Sequence, residues 1–271
     1  LDLHGSTEDY FRAKASLFRP GLAAFGVTNL DDAHGRLLAD IAPIEMVGFS
    51  AADATAVEVG VDRVRFTWRG EQIAVAMGGS FNVMNALAAA TTATVLGVEV
   101  QTIAAGLASA EPVPGRFERI ARDGSVVVVD YAHTPDGLQQ VIAAARDVAG
   151  DGRLLLVFGC GGDRDHAKRP QMGEVAARLA DVVVVTSDNP RSEPPLGIID
   201  DVISGMPPDA RDRVTVEPDR RAAIAKAIAE AGTGDIVIVA GKGHETTQIV
   251  GTQVLDFDDR QVVRQLLGVA Q

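Results

Sequence analysis

From Ser125 onward the chain alternates short apolar runs with amphipathic stretches. SVVVVDY, RLLLVFG, DVVVVTS and DIVIVAG are apolar at consecutive positions, the pattern of strands buried on both faces. Between them lie PDGLQQVIAAARDVA, KRPQMGEVAARLA, LGIIDDVISGM and RRAAIAKAIAEAG, with a short strand RVTVEP before the last. Their apolar residues recur at helical spacing. Alternation of this kind predicts an α/β fold with a mostly parallel sheet covered on both faces. The earlier part of the chain is mixed. STEDYF opens a helix, with Ser6 or Thr7 as cap and acids in the first turn. GLAAFGVTN reads as a short strand, and the region from Val57 to Met77 as a β-hairpin turning at Arg69-Gly70. FNVMNALAAATTATVLG reads as a long Ala-rich helix, and EPVPGR, with two prolines and a glycine, as a linker.

In a sheet of this type ligands bind beyond the carboxyl ends of the strands. Four polar segments leave strands there: DYAHTPD, GCGGDRDHAKRP, SDNPRSEPP and GKGHE. Composition narrows the class of ligand. A net charge of −12 over 271 residues argues against nucleic acid as the main partner. No apolar run approaches a membrane span. The single cysteine, Cys160, excludes an intrachain disulfide, in keeping with a reducing cytoplasm. Aromatic residues are 4% of the chain, so the core must be built from Val, Ala, Leu and Ile.

Each polar segment has a functional and a plain reading. In GCGGDRDHAKRP the glycines let backbone amides approach an anion, with Arg164, Lys168 and Arg169 adding positive charge; the plain reading is a tight turn with solvated charges. The loop matches neither the dinucleotide glycine pattern nor a P-loop. In DYAHTPD, Asp130 and His133 could hold a ribose, a metal-bound water or a proton, or serve only as a cap and an exposed imidazole. GKGHE offers an amine, an imidazole and a carboxylate, Glu245, that could bind a substrate amine; the alternative is a loop with a surface ion pair. Asn82 and Asn85 share one helix face and could read a base edge, or one could cap the helix. Arg116 could clamp a phosphate, or belong with Arg119 and Glu118 to a salt-bridged hairpin. By spacing alone Lys14 is a surface lysine.

Taken together, HGSTEDYFRAKASLF, GSFNVMNALAA, PVPGRFERI, VVVDYAHTPDGL, VFGCGGDRDHAKRPQMGEVA, VVTSDNPRSEPP and IVIVAGKGHETTQIV resemble the Mur ligases, over nearly the whole chain and least between about Gly35 and Arg69. The resemblance implies that residues 1–111 are the latter part of a central ATP-binding α/β domain and residues 112–271 a Rossmann-like C-terminal domain. It also implies a longer protein. The uridine-binding domain, the P-loop and a magnesium-binding histidine would precede Leu1. The implied reaction is ATP-dependent amide formation in peptidoglycan precursor synthesis. A carboxylate of UDP-N-acetylmuramoyl-L-alanyl-D-glutamate becomes an acyl phosphate, and an amine of meso-diaminopimelate attacks it.

Residue by residue, the resemblance makes Lys14 a carbamylated, Mg²⁺-binding lysine, which reverses its reading from spacing. It places Asn82 and Asn85 at adenine and Arg116, Asp130 and His133 on the ATP side, His133 also in catalysis. Arg164, Asp188, Asn189, Pro190, Arg191, Gly241 and Glu245 fall at the diaminopimelate site. Arginines suit the distal carboxylate of that substrate, and Glu245 with the Gly241 carbonyl suits its ammonium. Arg191 favours diaminopimelate over lysine, which lacks that carboxylate. A lysine-adding relative, a folylpolyglutamate- or cyanophycin-type ligase, and a fragment that binds substrate without turnover are the alternatives. The expected cofactors are ATP and Mg²⁺, and the expected state is a cytoplasmic monomer.

Overall fold

The structure, a computed structural model, describes residues 5–269, with Arg211 described by its backbone only. The chain divides into two compact units, one built mainly from residues up to Glu111 and the other mainly from Pro112 onward.

The first unit contains α1 (Thr7–Ala15), β1 (Phe25–Asn29), α2 (Ala33–Ile41), β2 (Glu45–Phe49), β3 (Thr55–Val59), β4 (Val64–Trp68), β5 (Glu71–Val75), α3 (Phe81–Val95) and α4 (Val100–Ala108). Ser6 caps α1 by accepting from Asp9 N. β1 and β2 pair in parallel, and β3-β4-β5 form an antiparallel sheet. The β4–β5 turn is Arg69-Gly70, both at positive φ (50° and 82°), the geometry of a two-residue hairpin turn matched to strand twist. Val64, Phe66, Trp68, Ile73 and Val75 point inward at alternate positions and are buried. Against them lie Val83, Ala86, Leu87 and Ala90 of α3 and Ile103 of α4.

The second unit contains β6 (Glu118–Arg122), β7 (Ser125–Asp130), α5 (Pro135–Ala149), β8 (Leu154–Phe158), α6 (Lys168–Leu179), β9 (Val182–Val185), α7 (Pro195–Ser204), β10 (Val214–Val216), α8 (Arg220–Glu230), β11 (Ile236–Ala240), β12 (Thr247–Val250), β13 (Gln253–Asp256) and α9 (Asp259–Leu267). Its main sheet has the order β10-β9-β8-β11-β7-β6, parallel except for β6, which pairs antiparallel with β7. Helix ends follow local chemistry. Thr134 accepts from Gly137 N and Pro135 occupies the first turn of α5, where its missing N–H costs nothing. Asp258 caps α9, which ends at Gly268 in the left-handed region.

Both faces of this sheet are covered. Val127, Val129, Leu155, Val157, Val184, Val237 and Val239 form one apolar face with Ala223, Ile224 and Ala227 of α8 and Val262 and Val263 of α9. The alternate positions, among them Val128, Leu156, Phe158 and Ile238, are also buried, on the side of α5 and α6. β9, β8 and β11 occupy three successive sheet positions. The loops at their carboxyl ends, DNPR, GCGGDRD and GKGHE, are therefore neighbours although distant in sequence.

Candidate functional site

DNPR and GCGGDRD interlock. Gly162 N donates to Asn189 O (2.9 Å), and Arg191 Nη1 donates to Gly162 O (2.7 Å). Ser192 Oγ donates to Asp163 Oδ1 (2.6 Å), and Asp163 N donates to Glu193 Oε1 (2.6 Å). Arg169, 1% exposed, grips both oxygens of Glu193 at 2.8 Å and also reaches Asp201. The Arg169 hydrogen bonds bring the Glu193 carboxyl down to about 2. The Ser192 hydrogen bonds hold Asp163 below the usual carboxylate range.

Asp163 and Arg191 sit at positive φ, 53° and 51°, an uncommon state for side-chain-bearing residues that here faces their two loops toward each other. Arg164 and Arg191 flank one point: a Cβ added to Gly161 would lie 3.0 Å from Arg191 Nη1 and 3.6 Å from Arg164 Cγ. Arg164 is exposed and Arg191 half-buried. Among the described residues, Nη1 is the one guanidinium nitrogen of Arg191 with a hydrogen bond, so the rest of its fork is available.

GKGHE closes the other side. The Asn189 amide donates to Asp188 Oδ1 and to Glu245 Oε2, both at 2.9 Å. Its carbonyl oxygen accepts from Ile249 N (2.9 Å) and Lys242 Nζ (3.4 Å). Two donors and two acceptor positions are all the hydrogen-bonding capacity an asparagine side chain has. Asn189 therefore orders the loop and Glu245, with no side-chain capacity left for a ligand. Glu245 is half-buried and uses Oε2 for these contacts, which leave Oε1 unengaged. Pro190 is buried, with its carbonyl accepting from Glu193 N.

Gly241 takes φ 118°, and a Cβ there would lie 2.6 Å from Asp188 Oδ2. Burial pushes Asp188 up, opposed by the nearby Arg220 and Lys242 charges. Lys242 itself is 0% exposed. The Lys242–Glu245 ion pair thus exists but is no surface pair, a correction to the plain reading of GKGHE. Nothing local signals this burial, because a lysine between two glycines reads as solvated.

A second group lies at the end of β7. Asp130 is buried, accepting from Phe117 N (2.8 Å) and Ala132 N (2.7 Å). Burial pushes its carboxyl up, against those two amides and the Arg116 and His133 charges. The Arg116 guanidinium lies 4.5 Å from the Tyr131 ring centre. His133 and His244 pack at a tilt against the same ring, with centroids 4.6 and 5.0 Å away. Lys168 Nζ donates to His133 O (2.9 Å), so the GCGGDRD loop's helix reaches this group. Arg119 is exposed, and Glu118 pairs with Arg264 across the unit.

In the first unit Lys14 is exposed on α1, its Nζ 5.4 Å from the Tyr10 ring centre. It borders a cavity of 320 Å³ lined by Tyr10, Phe11, His34 and Leu38. Asn82 is buried and accepts from the exposed Asn85 (2.9 Å). Among the described residues no three His, Cys, Asp or Glu side chains converge as a metal site, and no helix is long and apolar enough to cross a membrane.

Comparison with known proteins places the chain in a family. The Mur ligase middle domain matches residues 1–93, and the Mur ligase glutamate ligase domain matches residues 115–243. The chain belongs to the Mur ligase family. Among curated Mur ligases, the UDP-N-acetylmuramoyl-L-alanyl-D-glutamate–2,6-diaminopimelate ligase of Gloeobacter violaceus is 46% identical over 99% of this chain and 56% of its own length. The protein of the same name from Streptomyces coelicolor is 45% identical over 100% of this chain and 56% of its own. The chain thus spans about half the length of the Mur ligases it matches. A solved structure with that name aligns at a TM-score of 0.61 and 36% identity, covering 98% of this chain and 57% of the other. A crystal structure of MurF from Acinetobacter baumannii, 17% identical, aligns at 0.69 over 98% of this chain and 56% of its own, and shows the shared Mur ligase fold.

Proposed function

We propose that this chain forms the middle and C-terminal part of an ATP-dependent ligase joining meso-diaminopimelate to UDP-N-acetylmuramoyl-L-alanyl-D-glutamate. The observation that carries the reading is that Arg191, with only Nη1 engaged, and Glu245, with Oε1 unbonded, stand on two loops joined by the Asn189–Glu245 hydrogen bond. Arg191, with Arg164 beside it, suits one carboxylate in bidentate geometry. Glu245 Oε1 suits an ammonium. Together they match the amino-acid end of diaminopimelate that does not react. The 45–46% identity to ligases named for that substrate supports the same reading.

ATP supplies the phosphoryl group that turns the glutamyl carboxylate into an acyl phosphate. Asn82 and Asn85 are the proposed adenine-side amides, and Arg116, Asp130 and His133 the proposed contacts of the C-terminal unit. The hydrogen bonds to Asp130 and the ring packing of Arg116 hold these groups in place before ligand arrives, which lowers the ordering cost of binding. As its carbamate, Lys14 would present an anion able to hold Mg²⁺, where an amine cannot. It would be one ligand of that site; among the described residues no three His, Cys, Asp or Glu side chains converge as a metal site. The proposed setting is the cytoplasm, with the protein acting as a monomer.

The test is ADP release by the protein in its full natural length, supplied with the nucleotide dipeptide and either meso-diaminopimelate or L-lysine. Turnover with diaminopimelate and little with lysine is expected. Equal turnover with both amines would remove Arg191 as the discriminating group.

A further inference from the structure

Lys242 is the least exposed cation near the candidate site, at 0% relative exposure. Burying an ammonium costs several kcal/mol unless its protons are all bonded, and an apolar side chain of similar volume would avoid that cost. Lys242 meets the condition. Nζ donates to Thr247 O (2.5 Å), to Glu245 Oε2 (3.2 Å) and to Asn189 Oδ1 (3.4 Å). An ammonium has three protons, so none is left for a ligand. The side chain acts through its partners, and those partners converge on one atom. Asn189 Nδ2 and Lys242 Nζ both hold Glu245 Oε2, Asn189 from the loop after β9 and Lys242 from the loop after β11.

We propose that Lys242 is a positioning residue for amine recognition: with Asn189 it anchors Glu245 through Oε2, so that Oε1 alone is offered to the ligand's ammonium. This deepens the functional reading above and rests on it. A methionine would fill the same space without the desolvation cost of an ammonium, but would take a donor from Glu245 Oε2 and from the Thr247 carbonyl. A cation is needed because Glu245 must stay fixed while remaining a carboxylate. A neutral donor would hold it less firmly, and an unpaired Glu245 could turn either oxygen to the cleft.

The test uses the enzyme at its full natural length. Lys242→Met keeps the length of the stem and removes the ammonium; Lys242→Gln keeps a donor without the charge. For both, the KM for diaminopimelate is expected to rise about tenfold or more, while the KM for ATP stays within about twofold. In a Glu245→Gln background the same substitution should add little further, because the two residues act as one unit. A diaminopimelate KM within about twofold of the parent in a folded variant overturns the proposal. So does full additivity with Glu245→Gln. If neither variant folds, Lys242 is a folding determinant and the proposal fails. If the unmodified enzyme uses another amine, the substrate reading fails instead, and the same variants measured on that amine decide the role of Lys242.

Discussion

Asn189 donates its amide to Glu245 across 2.9 Å, joining the loop after β9 to the loop after β11. The bond makes a single rigid wall from two segments 56 residues apart. It also divides labour within DNPR: Asn189 holds the wall, and Arg191 engages the GCGGDRD loop through Nη1 alone.

Removing the Arg191 guanidinium should weaken amine binding selectively. Its φ of 51° lies in the left-handed region, so the replacement should be a residue that keeps that backbone conformation. Asparagine tolerates that region. Arg191→Asn should raise the KM for diaminopimelate by about 10- to 100-fold, as expected for a charge-assisted hydrogen bond, and leave the KM for ATP nearly unchanged. Steady-state kinetics on the full-length enzyme checks both.

Gly241→Ala should damage the site through its backbone. The φ of 118° and a Cβ placed 2.6 Å from Asp188 Oδ2 leave no room for a side chain. A cost of about 1–3 kcal/mol is expected, read as a lower urea midpoint with an unchanged m-value, alongside weaker diaminopimelate binding by calorimetry.

Acid stability should depend on Glu193. Its folded pKa of about 2 lies below the ordinary glutamate value, so its contribution is complete above that value and is lost as pH falls toward 2. Glu193→Gln should lower stability at neutral pH and flatten the fall in stability between about pH 4.5 and 2. Asp163, Asp181, Asp235 and Asp258 are also held low, so the slope should shrink and not vanish. Urea midpoints across this range decide it.

Arg220 and Asp259 form an ion pair with neither side chain exposed. Arg220 also donates to the Ala240 and Ser187 carbonyls, at 3.0 and 3.4 Å. Arg220→Met should cost about 3–5 kcal/mol by stranding Asp259. The double variant Arg220→Met/Asp259→Leu should recover most of that loss. Full additivity in denaturation would rule out the coupling.

The legible elements were those whose packing is written locally. Val126–Val129, Leu154–Phe158, Val182–Val185 and Ile236–Ala240 are apolar at every position and bounded by turn residues, so the strands and the helices between them could be read with little error. Less was legible where the pattern is weak. Helix α2 buries no residue fully, β12 and β13 contain only half-buried and exposed positions, and α9 buries only Asp259, Val262 and Val263; none was read from the pattern.

By itself the sequence determined the α/β alternation, the polar loops at the strand ends and, through their joint resemblance, the family. Tertiary structure alone decided which loops meet and which polar atoms stay free. The order β9-β8-β11 brings DNPR, GCGGDRD and GKGHE together across intervals far longer than any local signal. Burial then sorted their side chains: Lys242, polar and singled out by nothing in the sequence, and Asn189, expected at the substrate, are enclosed supports of Glu245, while Arg191 and Glu245 keep atoms without a hydrogen bond. Hydrogen-bond capacity is finite, and what it leaves unfilled is visible only once every partner is in place.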